Sequence, residues 1–343
     1  MTRPGARDLP GLDLDRLAGW LPSVLPGAGA GLRAELVAGG KSNLTYLLSD
    51  GTQTWILRRP PLGHVLATAH DMHREYRVMS ALQDTEVPVP RMVAFCADPE
   101  LLGAPFYVME RCIGTPYRRA AELTPLGPAR TRRIADGLID ILARLHAVDP
   151  AAVGLADFGR PDGFLARQVE RWRRQLEASR SRELPAAGAL HDALAVDVPA
   201  PSPTGIVHGD YRLDNVLVNA DDEPVAVIDW EMATLGDPLT DLALMVVYQR
   251  LGGLLGAIGL DAADAPGYPA EADVVARYAA GSDRDLGRFG WYLGLASYKL
   301  AGILEGIHLR HSRGQTVGGG FAGVGDAVAP LLDAGLQSLR ENG

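Results

Sequence analysis

The stretch Ile206-Val207-His208-Gly209-Asp210-Tyr211-Arg212-Leu213-Asp214-Asn215-Val216-Leu217-Val218-Asn219, followed by Val225-Ala226-Val227-Ile228-Asp229, decides how the rest of the chain is read. Two apolar runs flank a polar turn at residues 220–224, a pattern that predicts a β-hairpin. Pairing symmetric about residue 222 sets Asn219 against Val225, Leu217 against Val227 and Asn215 against Asp229. Directly opposed residues have Cβ atoms about 5 Å apart on one face of the ribbon. An amide oxygen and a carboxylate at that spacing suit a hard cation such as Mg²⁺, which takes few protein ligands and fills its shell with phosphates. Asp210 sits in the preceding loop, free to face a substrate hydroxyl. Asp and Asn also serve plain turn chemistry, but separate turn preferences would not generate a facing pair.

Working outward, the first third alternates strand-like and helical patterns. Residues 32–38, 44–49 and 53–58 read as strands, the last two joined by the hairpin signal Asp50-Gly51. A helix follows over about 68–83, opened by a capping-box-like Thr68 and Asp71 and carrying Met72, Tyr76, Met79 and Leu82 at helical spacing. Pro88-Val89-Pro90 breaks the chain before two more strands, 92–96 and 105–110. Five strands and one helix make a first lobe, residues 1–111. Residues 112–343 form a mainly helical second lobe, giving an α+β chain. Ile134, Leu138, Ile141, Leu142 and Leu145 mark one amphipathic helix, and others are expected over 164–179, 238–250 and 286–309. The Pro-rich residues 199–203 read as a surface connection and the Gly-rich residues 318–325 as a loop.

Composition narrows the function classes. The 343 residues hold 47% hydrophobic and 22% charged side chains and a net charge of −9, an ordinary globular balance. An acidic chain without a basic block suits neither nucleic acid nor an anionic membrane. Cys96 and Cys112 are too few for a disulfide framework. The amino-terminal residues are acidic where a secretory signal is apolar, and the longest apolar run, residues 291–304, is interrupted by Lys299. The expectation is a cytoplasmic protein with a small-molecule partner.

The order His-x-Asp-x-x-x-x-Asn with a later Asp matches a phosphotransferase catalytic loop. His208-Gly209-Asp210 through Asn215, then Ile228-Asp229-Trp230-Glu231, resembles the aminoglycoside phosphotransferase and choline-kinase-like family. Leu57-Arg58-Arg59-Pro60-Pro61, Val108-Met109-Glu110-Arg111 and Thr234-Leu235-Gly236-Asp237-Pro238 are similar to the branch related to the kinase-like domain fused to some acyl-CoA dehydrogenases. The resemblance covers about residues 30–310. It implies a bilobal protein-kinase-like fold, with a small antiparallel-sheet N-lobe and a larger helical C-lobe. It further implies ATP between the lobes, with GTP open as an alternative, Mg²⁺ on Asn215 and Asp229, and Asp210 as the base for an acceptor hydroxyl.

Other sites are sketched more faintly. Lys41, Ser42 and Asn43, after Gly39-Gly40, lie between two strands where backbone N–H groups can cover phosphates; a plain hairpin fits equally well. The Gly-Lys-Ser is not a P-loop, because Glu35 occupies the leading Gly position and a strand follows. Arg58 resembles the family's phosphate-contacting position, and Glu75, on the inward side of its helix, is placed to pair with it. Strand register leaves Arg58 and Arg59 as alternatives, and an exposed Glu75 is the plain reading. Glu110 and Cys112 resemble the hinge whose carbonyl and amide read adenine. His208, directly after two apolar residues, reads as a loop brace rather than a proton shuttle. Arg212 is a candidate for loop or substrate support. Asp237-Pro238 reads as a helix start, and the resemblance implies that Asp237 or Asp241 also braces the loop. Glu231 replaces the Gly of the kinase Asp-Phe-Gly and is a candidate for a second metal or for substrate. Arg167, Arg171 and Arg174 read as a solvated stripe rather than an anion patch.

The function expected is ATP-dependent O-phosphorylation of a small hydroxylated metabolite. Alternatives are an aminoglycoside-type antibiotic kinase, a nucleotide-binding pseudokinase acting through partners, and a metal-dependent phosphohydrolase.

Overall fold

The computed structural model describes residues 9–37, 43–62, 71–256, 259–316 and 320–341. Along the chain run α1 (Leu14–Val24), β1 (Arg33–Leu36), β2 (Leu44–Ser49), β3 (Thr54–Arg59), α2 (Met72–Leu82), β4 (Met92–Cys96), α3 (Pro99–Leu102) and β5 (Phe106–Glu110). Next come α4 (Ala120–Leu123), α5 (Pro128–Ala147), α6 (Phe164–Ser179), α7 (Pro185–Val196), β6 (Gly205–Val207), β7 (Val216–Val218), β8 (Pro224–Val227) and β9 (Thr234–Gly236). The rest is helical: α8 (Leu239–Arg250), α9 (Gly252–Leu255), α10 (Glu271–Ala280), α11 (Phe289–Ser312) and α12 (Val328–Glu341). The chain divides into two units, Met1–Ile113 with Val225–Ala233, and Gly114–Pro224 with Thr234–Gly343.

In the first unit β1 to β5 form one antiparallel sheet in the order β1-β2-β3-β5-β4. The β2–β3 turn is the one the sequence signals. Gly51 takes φ +93°, and Asp50 Oδ1 accepts the N–H groups of Thr52 and Gln53, each at 2.8 Å. Strand parity then sorts the side chains. Tyr46, Leu48, Trp55 and Leu57 share a buried face packed with Leu17 and Leu21 of α1. The sequence reading did not include α1; Asp13 caps it by accepting the Arg16 N–H at 3.0 Å. Among the described residues helix α2 starts at Met72. Asp71 is extended, and its carboxylate accepts the His73 and Arg74 N–H groups, so it is the cap. Thr68 lies outside the described residues.

In the second unit β6 pairs antiparallel with β9, Ile206 opposite Leu235. Gly236 in β9 lets the Phe164 ring close in, since a Cβ there would meet ring carbons at 2.7 Å. Helix α11 is buried over most of its length and packs on α6, α8 and α12. It begins at Phe289 because Asp285 turns the preceding chain, accepting the Gly287 N–H at 2.8 Å. Helices α7, α10 and α12 are further additions to the sequence reading. Among the described residues no helix is long and apolar enough to cross a membrane.

The turn between β7 and β8 corrects the expected register. Asn219 N–H donates to Glu223 O at 2.9 Å, so Asn219 pairs with Glu223 and not with Val225. Asp222 takes φ +67° in a three-residue loop, and Arg130 holds its carboxylate at 2.7 to 3.0 Å. Asn215 belongs to a 3₁₀ turn, Leu213–Asn215, and Asp229 sits at φ +67° before another, Trp230–Met232. Neither is a strand residue, and strand register does not oppose the two.

Candidate functional site

Strand β6 delivers the loop at residues 208–210, and buried groups hold its backbone. Gly209 adopts φ +85°. Asp241 of α8, itself buried, accepts the His208 N–H at 2.6 Å and the Gly209 N–H at 2.8 Å. Burial opposes the Asp241 charge, but the His146 ring 3.5 Å away and the loop N–H groups outweigh it, and the carboxyl stays below the usual range. Burial in turn holds the His146 imidazole below its ordinary value. His208 is fully buried; its Nδ1 accepts the Asp210 N–H at 3.3 Å. That geometry is a brace. Lys299 of α11 donates from Nζ to Gly209 O at 2.6 Å.

The Asp210 carboxylate is 29% exposed. Arg212 Nε lies 3.2 Å from its Oδ1 and the Tyr248 hydroxyl donates to the same oxygen at 3.5 Å. Asn215 Nδ2 donates to Asp210 O at 2.8 Å and to Oδ2 at 3.2 Å. These two bonds commit the amide nitrogen to Asp210 and fix the orientation of the Asn215 carboxamide. Arg212 also lies over the Tyr248 ring, 4.8 Å from its centroid, and reaches Asp214 at 3.2 Å. Arg118 meets Asp214 from its other side at 3.4 Å. Asp237 does other work. It accepts from Ser202 and Tyr292 hydroxyls at 2.7 Å each and from the Leu239 N–H, fixing the start of α8, so Asp241 alone of the two holds the loop.

In the first unit strand parity settles the two arginines. Arg59 shares the face of Trp55 and Leu57, bonding Gly11 O and Leu102 O. Arg58 points to the α2 face, where Nη1 lies 3.2 Å from Glu75 Oε2 and Nη2 lies 2.6 Å from Asp229 Oδ1. Glu75 is fully buried rather than exposed. Burial raises its pKa, against the pull of Arg58 and of the Tyr107 hydroxyl, which donates at 2.9 Å. Asn43, also buried, donates to Glu75 at 3.2 Å and to Glu231 at 3.4 Å, so both sequence candidates join this cluster. Trp230 anchors the returning segment, its Nε1 donating to Val227 O at 3.0 Å. Val227 N–H bonds Pro88 O, and Arg74 bonds Ala233 O. Glu110 ends β5 and Cys112 follows half-buried, its thiol pushed up to about 11 by burial with Glu110 adding to the effect. Lys41 and Ser42 lie outside the described residues.

Several members of these clusters were not read from the sequence: Tyr107, Tyr248, Lys299, and the pair Arg118 and Asp214. Tyr107 had a signal, since alternation along β5 places it opposite Arg58. The others meet the loop from distant helices and turns. The α6 arginines act locally: Arg167 bonds backbone carbonyls of Arg160 and Asp162, Arg174 pairs with Glu170, and Arg171 covers Trp172.

Among the described residues no group of three or more His, Cys, Asp or Glu forms a metal cluster. Taken separately, the Asn215 amide oxygen and the Asp229 carboxylate are each hard oxygen ligands of the kind Mg²⁺ accepts.

An antiparallel five-stranded sheet with α1 and α2 packed on it, followed by a helical unit bearing a braced His-Gly-Asp loop, defines a kinase-like phosphotransferase fold. The model of the APH phosphotransferase enzyme family matches residues 33–274, and the chain belongs to that family. It is 32% identical over 338 residues to acyl-CoA dehydrogenase family member 11 of Rattus norvegicus, covering 96% of this chain but only 43% of that protein. A crystal structure from Ralstonia eutropha, provisionally assigned as an aminoglycoside phosphotransferase, superposes with a TM-score of 0.85 and 33% identity over 96% of this chain and 99% of that one. The aminoglycoside phosphotransferase APH(4)-Ia, solved with ADP and hygromycin B, shares the fold at a TM-score of 0.60 and 16% identity, over 89% of this chain and 93% of that one.

Proposed function

We propose that this phosphotransferase moves the γ-phosphoryl group of ATP to the hydroxyl of a small molecule. The observation that carries the reading is the Asp210 carboxylate, partly exposed on a loop whose backbone is fixed by buried Asp241. In the transfer, the acceptor oxygen bonds to the γ-phosphorus, the bond to the ADP oxygen breaks, and the hydroxyl proton passes to Asp210. Arg58, oriented by Glu75, contributes positive charge toward the phosphates. Asn215 and Asp229 are the candidate ligands of Mg²⁺, which supplies charge neutralisation on the phosphates. Lys41, Ser42 and Asn43 are assigned to the phosphate-covering loop, and the Glu110 carbonyl and Cys112 N–H to adenine. His208, Arg212 and Glu231 support these groups. GTP remains the alternative nucleotide.

A non-antibiotic hydroxylated metabolite is the favoured acceptor. The likeness to a protein named as an acyl-CoA dehydrogenase family member supports hydroxyacyl compounds as candidates. The test is an ADP-release screen with Mg²⁺ that compares kanamycin-type aminoglycosides, hydroxy acids and their CoA esters. Release driven by hydroxy acids or their esters supports the reading; release driven by aminoglycosides alone replaces the acceptor. Nucleotide binding with no ADP from any acceptor favours the pseudokinase, and phosphate release without ATP favours the phosphohydrolase.

A further inference from the structure

Lys299 lies on the buried stretch of α11, between buried Tyr298 and Leu300. The Lys299 side chain is itself part-buried, and an ammonium drawn partly out of water needs a hydrogen-bond partner. Its pKa is held down by burial, with Asp210 and Asp241 facing it as anions and Arg171 and Arg212 as cations. Nζ lies 5.4 Å from the Trp172 ring centroid of α6 and donates to Gly209 O at 2.6 Å. Of the contacts the ammonium makes, the one to the Gly209 carbonyl is the direct hydrogen bond to the loop. That carbonyl and the Asp210 N–H belong to one planar peptide. Lys299 grips its oxygen end, while His208 Nδ1 accepts from its N–H end at 3.3 Å.

We propose that Lys299 is a positioning residue for Asp210, locking the Gly209–Asp210 peptide so that the carboxylate stays aimed at the acceptor. The inference rests on the reading of Asp210 given above and adds the residue that sets its orientation. Small displacements of a reacting group cost about 10²-fold in rate.

The test compares Lys299→Met and Lys299→Arg with wild type. Three readouts are used: ADP release from MgATP with the most active acceptor of the panel, MgATP affinity, and deuterium uptake of the peptide spanning residues 205–215. Lys299→Met is expected to lower kcat about 10- to 100-fold with KM for MgATP and nucleotide affinity unchanged, and to speed exchange in that peptide. Lys299→Arg, which keeps a donor, is expected to recover part of both. A Lys299→Met turnover within twofold of wild type, or unchanged exchange, overturns the proposal. If wild type releases no ADP with any acceptor, the phosphotransfer reading fails separately, and exchange alone decides whether Lys299 holds the loop. If Lys299→Met does not fold, Lys299→Leu replaces it under the same criteria.

Discussion

Arg58 Nη2 lies 2.6 Å from Asp229 Oδ1 across 171 residues of sequence. The same guanidinium reaches Glu75 through Nη1, so one part-buried cation serves two carboxylates. Its planar fork makes this possible, and a lysine at this position would not span both partners. The consequence is organisational. Asp229 is held in the first unit, with the candidate phosphate-contacting arginine, although it follows the Asp210 loop in sequence.

Replacing Arg58 by Ala leaves Glu75, fully buried, without its counter-charge. Breaking a buried pair from one side costs about 3–5 kcal/mol. Urea unfolding is expected to show a loss of that order, with part of it restored in the double variant Arg58→Ala, Glu75→Gln. A loss below about 1 kcal/mol, the range of surface pairs, would mean that the ion pair does not form in solution.

Asp229→Asn keeps the size of the side chain and a residue type that tolerates φ +67°. It removes the carboxylate charge. Nucleotide titrations are expected to lose their dependence on Mg²⁺ while nucleotide binding measured with chelator present stays near wild type. An unchanged Mg²⁺ dependence would remove Asp229 from the metal site.

Where sequence and structure agree, local patterning is strong. The bounds of β2, β4 and α6 match residue for residue, because alternation or helical spacing runs unbroken up to a turn or a Gly. Helix α1 escaped notice because Pro22 lies inside it and the flanking chain is rich in Gly and Pro. Helix α7 is Ala- and Leu-rich with a weak polar face, whereas α12 is plainly amphipathic and follows the Gly-rich stretch that reads as a loop. The site separates along the same line. Asp210, Asn215 and Asp229 stand out as candidates because they lie close together in the sequence. Tyr248 and Lys299 meet the loop from 38 and 90 residues away, and only packing brings them there. The turn register failed for a local reason: Asp222 accepts a left-handed conformation that shortens the loop, and symmetric pairing does not foresee it.

His146 is buried with Nδ1 2.7 Å from the Tyr278 hydroxyl and Nε2 3.5 Å from Asp241. Burial, its largest influence, lowers its pKa from 6.5. In the window below 6.5 the unfolded chain therefore binds the proton more readily than the folded one, and stability rises with pH. The contribution is fully present above 6.5 and is lost as pH falls toward the folded value. The urea midpoint is expected to drop between about pH 7.5 and pH 5.5, and to drop less in His146→Gln. Parallel pH curves for the two proteins would show that His146 titrates normally in the fold.

Asp210→Asn separates proton acceptance from everything else this residue does. The amide retains one carbonyl oxygen for Arg212 or for Asn215, and the loop backbone keeps its bonds to Asp241 and Lys299, so fold and loop should persist. General-base assistance is worth about 10²–10⁴ in rate. Acceptor-dependent ADP release is expected to fall by that factor with MgATP affinity within about twofold of wild type. Tyr248→Phe is the control, because its 3.5 Å approach to Asp210 is too long for a strong bond, and its turnover should stay within a few-fold. If Asp210→Asn transfers phosphate at near-normal rate while Tyr248→Phe does not, the proton-accepting role belongs elsewhere on this loop.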